Sequence, residues 1–160
     1  MAGITTIRDI QESEKPKNIG EFNTPVGIPE IINEGSDITL VTYGSCVRIA
    51  EDAVKQLKEF NISVELIDVR SLIPFDLNRI IVESIKKTNR CVVLEESWPL
   101  ASISSEIAYH LQRYAFDYLD APVERVTQTD TPFAFSPTLI DEALPNVERI
   151  VKAVKATLYR

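Results

Sequence analysis

Short apolar runs of strand length alternate with amphipathic stretches of helix length from Ile38 to the C-terminus, and no other feature constrains the fold as much. The runs are "ITLVTY" (38–43), "SVELIDV" (63–69), "CVVLEE" (91–96) and "VERVT" (123–127). Helices are predicted between them over about 47–60, 74–88 and 100–116. The first carries Val47, Ala50, Val54 and Leu57 as its apolar stripe; the second is N-capped by Asp76 and buries Ile80, Ile81, Ser84 and Ile85. Ile103, Ile107, Leu111 and Ala115 are in register on the third. After the Pro-rich loop 129–137 come a short helical piece, "TLIDEALP", and a final helix bearing Val147, Ile150, Val151, Val154 and Leu158. Strands separated by whole helices cannot form hairpins and are joined by crossovers, so they pair in parallel. The expected fold class is α/β, a three-layer α/β/α sandwich with a mostly parallel sheet.

Residues 1–34 have no sustained period and are punctuated by Pro16, Pro25 and Pro29. They read as an extended lead-in, and 35–160 as the folded domain. No stretch approaches the roughly 20 apolar residues of a membrane span, and the N-terminus lacks an apolar signal core. The formal charge of −7 excludes nucleic acid and anionic membrane as partners, because both require basic surface. It suits a basic protein partner. Two cysteines on separate elements and one histidine provide neither a disulfide framework nor a zinc motif, so a cytoplasmic location is expected. All five glycines fall within the first 44 residues, which removes every later phosphate-binding glycine loop from consideration.

Chemistry-bearing candidates are few. Cys46 follows a strand at "YGSC", where a nucleophile would sit, but a nucleophilic thiol needs a base. His110 is the only histidine and lies on the apolar side of its helix, as a half-buried structural or interface residue rather than a free general base. Cys46 therefore reads as a small residue in a helical first turn capped by Ser45. Glu95 and Glu96 end the third strand, where open α/β sheets present ligands. A magnesium site there would want an acidic pair after the first strand, which is missing, so capping or interface roles are favoured. Trp98, in a loop before Pro99, reads either as an interface anchor or as packing under the sheet edge. Asp120, in the turn "YLDAP", reads on its own as a residue that satisfies backbone donors.

Taken in order, "VTYGSCVRIAEDAV", "VVLEESWP", "SSEIAYHL" and "VERIVKAVKATL" resemble the C-terminal domain of the transketolase-like family. The nearest type is the beta subunit of the decarboxylating component of 2-oxo acid dehydrogenase complexes, pyruvate or branched-chain. "D-V-R-S-L-x-P-x-D" (68–76) followed by "D-A-P-V-x-R-V-T" (120–127) carries most of the likeness. Ser97, Ala101 and Ser104 stand in a stretch where the family usually writes glycines, as does Gln128. The resemblance implies that 1–34 link to a missing pyrimidine-binding domain. It implies oxidative decarboxylation of a 2-oxo acid and acyl transfer to lipoamide by an intact enzyme holding thiamine diphosphate and magnesium, neither bound by this piece, which is silent alone and contributes no catalytic residue. It implies an alpha subunit, a second beta subunit across a two-fold axis, and docking of the subunit-binding domain of the acyltransferase. Docking maps onto Asp120 and onto the terminal carboxylate of Arg160; Trp98 and His110 are candidate interface residues. The alternative is a stand-alone α/β interaction or effector-binding domain using Gly44–Cys46 and Glu95; transketolase and deoxyxylulose-phosphate synthase domains are more distant types.

Overall fold

The computed structural model describes residues 24–133 and 135–160; the reading of 1–23 as lead-in lies outside them. Five strands form one sheet in the order β1-β3-β2-β4-β5: β1 (Glu30–Asn33), β2 (Ile38–Thr42), β3 (Val64–Asp68), β4 (Cys91–Leu94) and β5 (Glu124–Val126). β2 pairs in parallel with β3 and β4, and β4 with β5. The helices are α1 (Cys46–Glu59), α2 (Ile80–Thr88), α3 (Ile103–Ala115), α4 (Pro137–Ala143) and α5 (Val147–Thr157). A 3-10 turn, Phe116–Tyr118, extends α3.

Alternation along β2 shows how the layers arise. Its five residues are all buried. Ile38 and Leu40 face a cluster with Leu57 of α1 and Ile150 and Val154 of α5. Val41 faces the opposite cluster, with Ile81 and Ile85 of α2 and Ile107 and Leu111 of α3. The α/β/α expectation is met. On the second face Thr39 Oγ1 lies 2.6 Å from Ser84 Oγ and 2.7 Å from Thr88 Oγ1, so a buried hydroxyl cluster ties β2 to α2.

Four local expectations change. β1 is a strand where the sequence suggests only an extended lead-in; it runs antiparallel to β3 with a bulge between Ile31 and Asn33. Its four residues alternate half-buried and exposed, and Pro29 precedes them, which suits an edge strand but leaves too short a pattern to read. Gly35 follows, where a Cβ would come within 2.1 Å of the Val64 carbonyl carbon, so only glycine lets the turn pass β3. The buried stripe of α1 is Cys46, Ala50, Ala53 and Leu57; Val47 and Val54 are only half-buried. α2 starts at Ile80 rather than at Pro74. Asp76 still accepts the Ile81 N–H, at 3.2 Å on Oδ1, so it caps the helix from a loop with positive φ at Asp76 (43°) and Arg79 (54°). Ser45 makes no cap bond to α1, since its hydroxyl instead donates to Glu96 Oε2 at 3.3 Å.

Candidate functional site

The chain passes from β2 through α1 to β3 on one side, and returns through α2 to β4 on the other. The strand order therefore reverses between β2 and β4, and the crevice outside their carboxyl ends is where such sheets bind ligands. Tyr43, Gly44, Ser45 and Cys46 leave β2 there, and Glu95 and Glu96 leave β4. Gly44 has φ of +63° and empty space where a Cβ would stand.

Glu95 is 0% exposed. Its Oε2 accepts the Tyr43 hydroxyl at 3.0 Å and the Ser104 N–H at 3.1 Å, so it joins β2 to the first turn of α3. Its Oε1 has no hydrogen-bond partner among the described residues. Burial, then the bond to Glu95, pushes the Tyr43 phenol above its ordinary range. Sequence reasoning misses Tyr43; an aromatic directly before the turn glycine is its one signal. Arg125 of β5 reinforces the same corner, donating to Pro99 O at 2.9 Å and Ser105 Oγ at 2.6 Å.

Cys46 is buried, and burial followed by the Glu96 carboxylate pushes its thiol up to about 11. A thiol so placed is protonated at neutral pH and is a poor nucleophile. The structural reading of "YGSC" holds, apart from the Ser45 cap. His110 is half-buried, stacked edge-on by Phe75 at 5.0 Å and beside Tyr114 at 4.8 Å. Its Nε2 stands 3.6 Å from Asp76 Oδ2, beyond hydrogen-bond distance, and both atoms are buried without a partner among the described residues. Burial holds this imidazole below its ordinary value against the pull of Asp76, and burial raises the Asp76 carboxyl. A shallow apolar groove of about 400 Å³ opens beside His110, lined by Ile73, Phe75, Ile103 and Tyr109 among others. Trp98 is 53% exposed in the loop that follows β4.

Asp120 and Arg160 lie at the other end of the sheet, where α3 and α5 finish and β4 and β5 begin. Asp120 is exposed, and its N–H donates to Asn89 O at 2.9 Å. It borders a concavity of about 480 Å³ with Ala108, Gln112, Phe116 and Pro122. Arg160 is exposed, and its N–H donates to Lys155 O at 2.9 Å. Its side chain lines a separate concavity with Lys152 and Lys155. Next to Asn89, the Arg90 guanidinium lies 5.8 Å from the ring of Tyr159, the residue before Arg160. No group of three or more His, Cys, Asp or Glu side chains able to hold a cation occurs among the described residues.

Comparison with known proteins agrees with this topology. The family model described as "Transketolase, C-terminal domain" matches residues 27–150. The chain is 44% identical over 135 residues to "Pyruvate dehydrogenase E1 component subunit beta" of Rickettsia felis, covering 84% of this chain and 41% of that protein. It is 42% identical over 150 residues to the protein of the same description from Rhizobium meliloti, covering 94% of this chain and 32% of that protein. The chain thus spans less than half the length of these relatives. Among solved structures, "Split gene transketolase, inactive beta4 tetramer" superposes with a TM-score of 0.74 at 27% identity, over 87% of this chain and 44% of that one. A model match over most of the chain, on a mostly parallel sheet of this strand order, makes the chain a member of the transketolase C-terminal domain family.

Proposed function

We propose that this chain is the C-terminal domain of a beta subunit of a 2-oxo acid dehydrogenase decarboxylating component. Identity of 44% to a pyruvate dehydrogenase beta subunit, along 84% of the chain, carries the reading, and the relatives' names favour pyruvate over branched-chain substrates. The intact enzyme would release carbon dioxide from the 2-oxo acid and transfer the acyl group to a lipoyl disulfide, which is reduced as the thioester forms. The reading puts thiamine diphosphate and magnesium on other domains and routes no chemical step through this one. A cytoplasmic setting remains part of the proposal; both cysteines are free and buried, while a Caenorhabditis elegans relative is described as mitochondrial.

The domain's own work would be assembly: contact with the alpha subunit, packing on a second copy, and docking of the acyltransferase's subunit-binding domain at Asp120 and the carboxylate of Arg160. Asp120 supports this by being exposed beside a concavity and tied down by its own backbone, so its carboxylate is free to pair. The split-gene transketolase that superposes on this chain is described as a tetramer of beta chains, which supports self-association. Calorimetric titration with the cognate subunit-binding domain tests docking. Binding that Asp120→Ala weakens about tenfold is expected; binding indifferent to that change would sink the site.

A second reading, a stand-alone effector-binding domain, is favoured by one observation: the unpartnered Oε1 of buried Glu95 at the switch point. It would require a small donor-bearing molecule whose binding Glu95→Gln abolishes.

A further inference from the structure

Asn89 ends α2 in the left-handed region, at φ of 61°, with its N–H donating to Ile85 O at 2.8 Å. Glycine is the usual residue at such a helix end, because it adopts positive φ without a Cβ penalty. Asparagine tolerates the same backbone and adds a side-chain amide. Here that amide reaches 29 residues along the chain, where Nδ2 donates to Tyr118 O at 2.8 Å. The Asn89 carbonyl in turn accepts the Asp120 N–H at 2.9 Å. One residue therefore holds the peptide groups on both sides of Leu119. Among the described residues no other hydrogen bond joins 117–120 to a different element. Lys86, one turn earlier on α2, adds its ammonium 5.6 Å from the centre of the Tyr118 ring.

We propose that Asn89 is a positioning residue for docking: it fixes the turn that presents the Asp120 carboxylate and does not itself touch the partner. The inference rests on the reading that Asp120 pairs with a basic subunit-binding domain. A carboxylate on a loose turn must be ordered as the partner arrives, and that ordering subtracts from affinity. A turn held at both Leu119 peptides has already lost that freedom. The end of α2 thus supplies preorganisation, and the turn after α3 supplies charge. The Nδ2 bond is exposed, so water competes for both of its partners and it adds little to global stability. Asn89→Gly deletes that bond alone: glycine suits the positive φ, and the carbonyl that receives the Asp120 N–H is kept. The charge of Asp120 is untouched.

Calorimetric and stopped-flow binding of the whole 160-residue chain to the cognate subunit-binding domain test it, using Asn89→Gly, Asp120→Ala and the double variant. Asn89→Gly is expected to raise Kd about threefold to tenfold through faster dissociation, with the salt dependence of association unchanged because the field is unaltered. Asp120→Ala is expected to flatten that salt dependence. The double variant is expected to bind no more weakly than Asp120→Ala, since no carboxylate is left to position. Amide exchange at Asp120 is expected to quicken in Asn89→Gly while the global melt stays matched to the parent. An unchanged Kd in Asn89→Gly, whether or not its melt shifts, overturns the positioning role and leaves docking at Asp120 in place. An additive loss in the double variant does the same. Binding indifferent to Asp120→Ala, or absent in the parent chain, overturns docking at this turn and the role of Asn89 with it.

Discussion

Single residues carry the departures from regular geometry. Ala101 sits at φ of 54°, in the left-handed region that costs an L-residue about 1–2 kcal/mol. Ala101→Gly removes that strain at the cost of a more flexible unfolded chain, and is expected to raise stability by about 0.5–1 kcal/mol in a urea titration. His110 makes a pH prediction. Its folded-state pKa lies below the unfolded value because burial, with Arg79 nearby, disfavours the cation. The unfolded chain then binds protons more readily in the window just below the ordinary histidine value of about 6.5, so stability falls as pH falls through it. His110→Gln is expected to flatten that slope. Asp76, raised in the folded state, works in the opposite sense at lower pH, where stability is lost as pH rises through its folded value. The two slopes are therefore separable in melts recorded across pH 3–8, a range of about five units spanning both ordinary values.

At the scale of elements, buried polar contacts decide which helix sits on which strand. Thr39 points from β2 into the hydroxyl cluster with Ser84 and Thr88 of α2. Thr39→Val keeps shape and apolar bulk but strips the shared partner from two buried hydroxyls, with an expected cost of about 1–3 kcal/mol in the denaturant midpoint. Arg149 does similar work for α5, donating to Thr127 O at 2.6 Å and Leu144 O at 3.2 Å. The long periodic helices were legible because burial repeats along them: Ile150, Val151 and Val154 are all buried in α5, as the spacing requires. α2 was less legible at its start, because Asp76 caps it across a loop whose positive φ angles no residue pattern announces. β1 escaped because a short edge strand alternates too briefly to separate from an extended linker.

At the scale of the whole molecule, a net charge of −7 sets the field any docking partner meets. Association with a basic module is expected to be steered by that field and to weaken as salt rises from low to moderate concentration. The same calorimetric titration, repeated at two ionic strengths, measures this; salt-insensitive binding would remove charge as its driver. The alternation of apolar runs with amphipathic helices by itself determined the α/β class, the parallel pairing of β2 to β5 and most of the core. Those depend on local periodicity and on the impossibility of tight turns between strands separated by helices. Tertiary structure alone decided that Glu95 bonds Tyr43, 52 residues away, that His110 faces Asp76, and that the Asp120 N–H bonds Asn89 O. Such contacts follow from strand order and crossover geometry, which bring distant positions together without leaving any repeat in the sequence to mark them.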